Sequence, residues 1–588
     1  MKVRSLTLCA TASTAFLAVG LISATAAAAG SGPQVGTNVR VTVDQGGAYV
    51  SADQLVPGGT YTDGVLARCG VDRRQQNEPT LAIDPRDHGV WTAGSNDYCT
   101  IPTTGDAWAG FYRSTDSGVT WTDSLLPGYA GDTSAQGTSS PLAPLVAGGA
   151  HAAGDPMMSF DQNGNLFYMG NNFNRGAPDG NSARFRDNTG DIWVATYAPA
   201  NSADPSTDGS KYVRTVLLAT NTFGNGQSTD KTDLNVDPSS GYVYAAWSDF
   251  HGSGCNSIFF SRSTDHGATF SAPMKISGGI CSNQAPSITF GGSGTVYIAW
   301  QGGTGGAFTK ATGSVNGAAF VASADNGQTF TNARLATLYS PFTSVQFSGN
   351  GARECGDSPF NCPSGQTFPR FDLASPYLTD DTVHGVLVMA FQEAQPSGQG
   401  QIAYVRSTNG GATWSAQALL AASTSGHQFF PWLTASNGRV SAIWYDSTGD
   451  PNYSATRAPC NTATGTTTAC LNVRYAESTD GGLTWSTAVN VTETATNPDY
   501  EQFGGRLVPF FGDYITVAAQ GDTIGAAWTD QRNTAGASDP SGDNDGADVA
   551  GDPETGGTCT SSLTMCFDST GGLDQNIYTA AITPAPLT

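Results

Sequence analysis

The chain of 588 residues carries a formal net charge of −23, with 26 basic residues against 49 acidic ones. Such a balance excludes recognition of nucleic acid or of an anionic membrane surface through charge, because both repel an acidic protein. Only 13% of the residues are charged, 73 are glycine, and long helical periodicities are absent, which together indicate an exported all-β protein.

The first 29 residues have the features of a secretory signal peptide. Lys2 and Arg4 precede an apolar run at residues 6–22, and alanine-rich cleavage sites follow it. The run is too short for a membrane anchor, and no later stretch is apolar enough to span a bilayer. We therefore expect residues 30–588 to form one secreted, extracellular domain that is monomeric and has no membrane partner.

Ten cysteines follow the leader, an even number that indicates disulfides in an oxidising compartment. Sequence alone leaves the connectivity open, and pairing between sequence neighbours is the economical hypothesis. The five neighbouring pairs are Cys69 with Cys99, Cys255 with Cys281, Cys355 with Cys362, Cys460 with Cys470, and Cys559 with Cys566. The sequence lacks the Cys-x-x-Cys and paired histidine spacings that would predict a zinc site.

Seven units of similar pattern follow one another along the chain. Each unit has a short first strand, a turn, an apolar second strand that ends in a polar or acidic residue, a variable loop and a third strand. The first strands are predicted to begin near Pro79, Pro156, Asp233, Pro286, Pro369, Pro431 and Pro509. The second strands are predicted at residues 90–97, 166–172, 243–249, 296–301, 386–393, 440–446 and 524–530.

A turn motif, Ser-x-Asp-x-Gly-x-Thr-aromatic, ends the third strand in five of the units. The copies lie at residues 114–121, 263–270, 323–330, 407–414 and 478–485, with Asn409 in place of the aspartate once. The aspartate can accept hydrogen bonds from its own turn, the glycine adopts positive φ, and the threonine and aromatic residue suit a new strand. Five copies indicate a repeat architecture.

This motif is the Asp box, and over nearly all of its mature length the chain resembles the sialidase-like (BNR-repeat) β-propellers, among them secreted bacterial exo-α-sialidases. The resemblance implies four-stranded blades in a ring, with each Asp box between the third and fourth strands. The units predict seven blades, and six blades is the alternative count. The seventh unit has its third strand at residues 576–582 and lacks a fourth strand. We expect the segment at residues 38–43 to supply that strand and close the ring.

The same topology predicts where a site should lie. Loops after the second strands and between blades share the face opposite to the Asp boxes, and all ten mature cysteines fall in those loops. Because functional groups usually lie on loops held by a rigid scaffold, we place the site on this disulfide face, around the central channel.

Acidic residues near that face are the candidate catalytic groups, because glycoside hydrolysis normally needs paired carboxylates. The candidates are Glu78, Asp97, Asp249, Glu393, Asp446 and Asp530. Candidate substrate-binding residues are Arg370, Arg506, Arg532 and Tyr445. An aspartate at a strand end can instead hydrogen-bond loop backbone, and its recurrence in many blades favours that scaffold role.

The resemblance to sialidases weakens at the residue that should bind the substrate carboxylate. Sialidases open their first blade with an aromatic-Arg-Ile-Pro motif, whereas the matching residues of this chain are Gln76-Asn77-Glu78-Pro79. Asn77 stands where the arginine belongs, and the forked arginine side chain is hard to replace in carboxylate recognition. We therefore expect release of sialic acid to be weak or absent.

A calcium site is a further hypothesis, although no cofactor is required. Four aspartates in the stretch at residues 539–552 could give oxygen ligands to Ca²⁺: Asp543, Asp545, Asp548 and Asp552. The stretch departs from a helix-flanked calcium loop, and a solvated acidic loop is the alternative interpretation.

Three functions stay open from the sequence. The first is a sialidase-like glycoside hydrolase that acts on extracellular carbohydrate or glycoprotein. The second is a propeller without catalysis that binds glycan or protein. The third is a polysaccharide lyase.

Overall fold

The computed structural model describes most of the chain. The described residues are 32–44, 46–52, 55, 61–71, 75–104, 106–173, 190–220, 227–251, 255–303, 315–340, 375–455, 459–460, 469–498, 512–533 and 575–587. Within them the chain is almost entirely strand. The short helices are α1 (Gly64–Cys69), α2 (Ile101–Thr104), α3 (Ala135–Ser139) and α4 (Leu142–Ala147). None of the helices in these ranges is long and apolar enough to cross a membrane.

The first four blades are antiparallel sheets of four strands each, and in every one the chain runs from the innermost strand outwards. The first contains β3 (Gln76–Ile83), β4 (Trp91–Asp97), β5 (Trp108–Ser114) and β6 (Thr122–Leu125). The second contains β7 (Ala152–Phe160), β8 (Leu166–Phe173), β9 (Gly190–Ala198) and β10 (Lys211–Ala219). The third contains β11 (Gln227–Val236), β12 (Val243–His251), β13 (Ser257–Ser263) and β14 (Met274–Lys275). The fourth contains β15 (Cys281–Phe290), β16 (Val296–Gly303), β17 (Asn316–Ser323) and β18 (Arg334–Leu338).

The remaining three blades follow the same order. The fifth contains β19 (Tyr377–Asp381), β20 (Val386–Ala394), β21 (Gly400–Ser407) and β22 (Ala418–Leu419). The sixth contains β23 (Gln428–Ser436), β24 (Arg439–Asp446), β25 (Asn472–Ser478) and β26 (Val489–Asn490). The seventh contains β27 (Thr516–Gln520), β28 (Thr523–Asp530) and β29 (Asn576–Thr583), to which β1 (Gln34–Val35) and β2 (Val39–Arg40) add from the amino-terminal side.

The blades form a closed ring. Each innermost strand packs against the innermost strand of the next blade, and β27 of the last blade packs against β3 of the first. The prediction of a seven-bladed β-propeller is confirmed, and the alternative count of six is wrong. Polar side chains help to join the innermost strands: Thr80 Oγ1 accepts from Met158 N at 3.1 Å, and Ser287 Oγ accepts from Leu378 N at 3.0 Å.

The amino-terminal segment lies on the outer edge of the seventh blade. Val39 pairs with Thr579 in antiparallel register, and Val41 N donates to Ile577 O at 2.8 Å. Asn38 Nδ2 also donates to Val491 O of the sixth blade at 2.8 Å. Both ends of the described chain therefore meet in one sheet, and the stability that this pairing gives to the ring stays a prediction.

The second strands match their predicted positions to within two residues at either end, but the first strands match less well. Most innermost strands begin several residues before the predicted start. The fifth and the seventh are exceptions, because they begin at Tyr377 and Thr516, after the predicted starts. The predicted starts of these two strands, Pro369 and Pro509, lie outside the described residues.

The five motif turns share one hydrogen-bond pattern. In the first, Asp116 Oδ1 accepts from Thr120 N at 2.8 Å, and Gly118 N donates to Ser114 Oγ at 3.0 Å. In the copy with asparagine, Asn409 Oδ1 accepts from Thr413 N at 2.9 Å and its amide donates to Thr413 Oγ1. The side-chain oxygen of the aspartate or asparagine thus stabilises its own turn, which is a structural role.

Apolar side chains from neighbouring blades form the core between the sheets. The largest fully buried side chains include Trp91, Trp193, Trp247, Trp300, Trp444 and Trp528. Three of the predicted disulfides are present: Cys69–Cys99, Cys255–Cys281 and Cys460–Cys470. The remaining two predicted pairs and the leader at residues 1–29 lie outside the described residues and stay predictions.

Candidate functional site

Near the start of each innermost strand, at the disulfide face, lies a residue in the left-handed region of backbone space. The residues and their φ angles are Glu78 (56°), Asp155 (51°), Lys231 (48°), Ala285 (55°), Ser375 (38°), Phe430 (51°) and Gly512 (92°). Side chains other than glycine pay a steric penalty there. Because all seven blades share this conformation, it is a general feature of the fold. Only the first three blades have a charged side chain at this position, and these side chains distinguish one side of the channel.

Those charged residues meet in one cluster at the end of the channel. The Lys231 ammonium lies 2.7 Å from Asp513 Oδ2, 3.4 Å from Asp155 Oδ1, and 3.6 Å from both Glu78 Oε1 and Asp230 Oδ1. Four blades contribute, since Asp513 directly follows the left-handed Gly512 of the seventh. We call these five residues the acid cluster.

Burial differs among the members of the acid cluster. The side chains of Lys231, Glu78 and Asp155 are 8%, 3% and 7% exposed, whereas that of Asp230 is 32% exposed. Asp230 is therefore the member that solvent, or another molecule, reaches most easily.

Burial and mutual repulsion control the charges in the cluster. Burial alone would lower the pKa of Lys231, but the surrounding carboxylates raise that pKa well above its usual value, so the lysine stays charged. Burial raises the pKa of Asp230 to about 7, with Lys231 opposing the rise and Asp155 adding to it. One ammonium thus does not fully compensate the carboxyl groups around it.

Glu78 and Asp155 are neighbouring buried carboxyl groups, because both lie within 3.6 Å of Lys231 Nζ. Burial raises the pKa of both groups, and the Lys231 charge opposes that rise. The charge of Glu78 adds to the rise at Asp155. Two carboxyl groups held close together in a buried site do not both stay ionised at low cost.

Amides and backbone groups orient this carboxyl pair. Asn96 Nδ2 donates to Glu78 Oε2 at 2.6 Å, and Asn96 Oδ1 accepts from Asp155 N at 3.0 Å. Glu78 Oε1 accepts from Asp513 N at 3.1 Å. Asn171 Nδ2 donates to Asp155 Oδ2 at 3.3 Å. The pair is therefore held by groups from three blades.

Aromatic side chains adjoin the acid cluster inside the channel. The Tyr514 ring lies 5.9 Å from Lys231 Nζ, and the rings of Tyr377 and Trp432 lie 4.0 Å apart. Beyond them, towards the Asp-box face, all seven innermost strands line a cavity of about 430 Å³ that contains Asp233 and Asp380. The cluster therefore lies towards the disulfide face.

Among the predicted acids, only Glu78 belongs to the acid cluster. Asp97 accepts from the hydroxyls of Tyr49 and Tyr112 at 2.7 and 2.9 Å, and from Cys99 N at 3.0 Å. Asp446 accepts from Thr448 N at 2.7 Å, in the loop that follows its strand. These contacts fit the scaffold interpretation of acids at the ends of second strands.

The other predicted acids and Tyr445 lie in separate surroundings. Asp249 pairs with Thr229 in the sheet, and Glu393 accepts from Gln395 Nε2 at 3.2 Å. Tyr445 is buried, and its hydroxyl donates to Thr529 O at 2.8 Å.

Asp530 and Arg532 form a bidentate ion pair at the edge of the seventh blade. The Arg532 guanidinium donates to both Asp530 oxygens, at 2.9 and 2.7 Å. It also donates to Asn38 Oδ1 at 2.9 Å and lies 4.2 Å from the Tyr578 ring centre. This arginine helps to fasten the amino-terminal strand.

Several predicted residues fall outside the described part of the chain. These are Arg370, Arg506, and the four aspartates of the calcium hypothesis, Asp543, Asp545, Asp548 and Asp552. Within the described ranges, no three or more His, Cys, Asp or Glu side chains are arranged so that they could hold a metal ion.

Sequence reasoning missed Asp155, Asp230, Lys231 and Asp513. A signal for one of them exists, because Asp155-Pro156 repeats the Glu78-Pro79 pattern at the start of the next blade. Alignment of the seven units on their first strands, instead of their second strands, would have placed Glu78, Asp155 and Lys231 in equivalent positions.

Comparison with known proteins finds likeness in fold only. No family model matches the chain, and no curated protein matches its sequence. Similar solved structures include the Hadza microbial sialidase Hz136, with 13% identity, a TM-score of 0.39, and coverage of 75% of this chain and 70% of that one.

Two further matches have the same character. An α-L-arabinanase of Penicillium chrysogenum, solved with arabinobiose, is 12% identical with a TM-score of 0.40, over 79% of this chain and all of its own. The Trypanosoma rangeli sialidase, solved with the inhibitor DANA, is 14% identical with a TM-score of 0.39, over 71% of this chain and 58% of its own. The ring of seven blades follows from the strand pairing of this chain by itself.

Proposed function

We propose that this protein is a secreted glycoside hydrolase that acts on extracellular glycans, with the acid cluster as its catalytic site. The observation that carries the proposal is the gathering of three buried carboxyl groups, Glu78, Asp155 and Asp513, within 3.6 Å of Lys231 Nζ at one end of the channel. Hydrolysis of a glycosidic bond needs a group that donates a proton and a second carboxylate that acts as base or nucleophile. The cluster contains both chemical types.

The roles follow from the electrostatics of the cluster. In our proposal the Glu78–Asp155 pair shares a proton and is the proton donor. Burial raises the pKa of both groups, and the charge of Glu78 raises that of Asp155 further, which supports this role. Asp513 lies closest to the Lys231 ammonium, at 2.7 Å, which favours its ionised form. It is the carboxylate that acts as base or nucleophile.

The surroundings of Asn77 argue against a sialoside as substrate. Asn77 is fully buried, its amide nitrogen donates to Gln575 Oε1 at 3.1 Å, and its oxygen accepts from Asn96 at 3.2 Å. It therefore offers no cationic fork where sialidases have their first arginine. The proposed activity is that of a glycosidase with the sialidase-like fold and another sugar specificity.

A screen of the purified mature protein against a glycan panel, with detection of released sugars, tests the proposal. We expect hydrolysis of at least one glycan, and a loss of more than about a hundredfold in rate for Glu78→Gln and for Asp155→Asn, because acid–base catalysis contributes that much. Asp380→Asn is the matched control, since Asp380 is an acid of the same channel near its opposite face.

If the parent protein is active and both Glu78→Gln and Asp155→Asn keep that activity, the assignment of the site is contradicted. Asp530 and Glu393 remain candidates from the sequence, and alanine variants at these positions belong in the same assay. If the folded alanine variants of Asp530 or Glu393 lose activity while Asp155→Asn stays fully active, the catalytic site lies at the ends of the second strands instead.

A propeller that binds glycan or protein without catalysis is the second candidate. The observation in its favour is that Lys231 joins four blades through ion pairs. The acid cluster could therefore serve to stabilise the ring without taking part in catalysis. Binding of a glycan without any product, in the same screen, would favour this candidate over hydrolysis.

A further inference from the structure

Negative charge is under-compensated on one side of the acid cluster. Lys231 is nearest to Asp513, and its ammonium lies 3.4 to 3.6 Å from Asp155, Glu78 and Asp230. At these longer distances a single positive charge is shared among three carboxyl groups. Asp230 is the most exposed of them, at 32%.

The neighbouring polar atoms add acceptors that lack a partner. The Tyr514 hydroxyl is buried beside Glu78 and Asp155 and has no hydrogen-bond partner among the described residues. The same holds for Asn171 Oδ1, on an amide whose nitrogen donates to Asp155. Buried polar atoms without partners destabilise a protein unless a ligand or water satisfies them.

The aromatic face beside the cluster already accommodates an ammonium group. The Tyr514 ring lies 5.9 Å from Lys231 Nζ, within the range in which a ring attracts a cation. Carboxylates, unpaired oxygen acceptors and an aromatic face together suit a ligand that carries N–H donors and positive charge.

From these observations we infer that the accessible side of the cluster, at Asp230, binds the protonated amine of an amino sugar. The inference rests on the proposed function and names its substrate class. The ammonium would pair with the Asp230 carboxylate, and the Tyr514 hydroxyl and Asn171 Oδ1 would accept hydrogen bonds from the same sugar. Sugars that carry a carboxylate would be repelled.

Arg113 of the first blade and Arg532 of the seventh do not offset this preference. Arg532 is paired with Asp530, and Arg113 donates to the backbone oxygens of Asp208 and Ser206. Neither of these two guanidinium groups is free to receive a sugar acid that enters at Asp230.

Binding of three monosaccharides to the mature protein tests the inference. Calorimetric titrations with glucosamine, N-acetylglucosamine and glucuronate are made at equal ionic strength and near neutral pH, where the amine of glucosamine is protonated and Asp230, whose pKa is about 7, is substantially ionised. We expect glucosamine to bind about tenfold more tightly than N-acetylglucosamine, as a charge-assisted hydrogen bond implies, and glucuronate to bind least.

Three variants locate the effect. Asp230→Asn should abolish the preference for glucosamine, whereas Asp380→Asn should keep it. Tyr514→Phe should weaken glucosamine about threefold or more without loss of thermal stability, because it removes a buried hydroxyl that has no partner. This variant keeps the test valid if Asp230→Asn should fold poorly.

Equal affinity for the three sugars, no binding of any of them, or an unchanged preference in a folded Asp230→Asn variant would overturn the inference. The titrations need no turnover. A protein that prefers glucosamine but hydrolyses no glycan would therefore support this inference while contradicting the proposed catalysis.

Discussion

Lys231 Nζ lies 2.7 Å from Asp513 Oδ2, although Lys231 is in the third blade and Asp513 precedes the innermost strand of the seventh. The same ammonium lies within 3.6 Å of carboxyl oxygens from the first and second blades. One buried cation thus links four of the seven blades at the end of the channel. The acid cluster joins the ring as well as forming the candidate site.

Replacement of Lys231 by methionine should destabilise the protein. It leaves several buried carboxyl groups without a cation, and removal of one partner from a buried ion pair typically costs about 3 to 5 kcal/mol. Denaturant unfolding of the variant and parent measures this change in the free energy of unfolding. Lys275→Met, at an exposed position, should change it by less than about 0.5 kcal/mol. Equal stability of parent and Lys231→Met would show that the cluster does not join the blades.

Deletion of the amino-terminal residues through Asp44 should lower the melting temperature and cause aggregation. The deletion removes the strands that pair with β29 and exposes its edge, which can then pair with other chains. A version that starts at Gly32 is the control, because it keeps both pairing strands. An unchanged melting temperature and monomeric elution of the shorter protein would mean that the segment is merely a frayed end.

Stability should depend on pH through Asp208, a buried carboxyl group near that of Asp84. Burial, followed by the influence of Asp84, raises the pKa of Asp208 to about 7. The folded protein therefore binds a proton more tightly than the unfolded chain, and its stability falls as pH rises from about 4 to 7. Asp208→Asn removes the titrating group and should be more stable than the parent by about 1 kcal/mol at pH 8, but not at pH 4.

The comparison for that prediction is Asp265→Asn in an Asp box. Hydrogen bonds from Thr269 lower the pKa of Asp265 to about 2, so the group stays ionised between pH 5 and 8. Its replacement should therefore change the melting temperature by the same amount at pH 5 and at pH 8. If Asp208→Asn also gave a constant difference from pH 4 to 8, the raised pKa of Asp208 would be wrong.

The fold could be predicted from the sequence because its signals are local and repeated. The Asp boxes and the second strands at residues such as Val243 and Val386 recur in unit after unit, and each follows from turn chemistry or strand periodicity. The first strands were harder to predict, since a left-handed residue interrupts the alternation near their start, as Glu78 does in β3.

The acid cluster could not be predicted as a whole, because it depends on contacts across the ring. Lys231 and Asp513 are far apart in sequence, and closure of seven blades brings them together. Acids at the ends of second strands, such as Asp446, were easier to recognise, and the structure places them in hydrogen bonds with loops. Alignment on the first strands gives the better starting point in such a propeller.

Release of sialic acid from a simple sialoside should be undetectable or weak. Asn77 replaces the first carboxylate-binding arginine of sialidases and is held by Gln575 and Asn96. Quantification of free sialic acid after incubation with sialyllactose measures this directly. Robust turnover would show that other arginines of the chain bind the substrate carboxylate.

The proton between Glu78 and Asp155 is the central element of the proposed chemistry, and infrared difference spectroscopy at neutral pH tests it most directly. We predict an absorption of a protonated carboxyl group in the parent protein that is diminished in Asp155→Asn and unchanged in Asp265→Asn. Identical carboxyl absorption in the parent and in Asp155→Asn would contradict the shared proton, and with it the role of this pair as the proton donor.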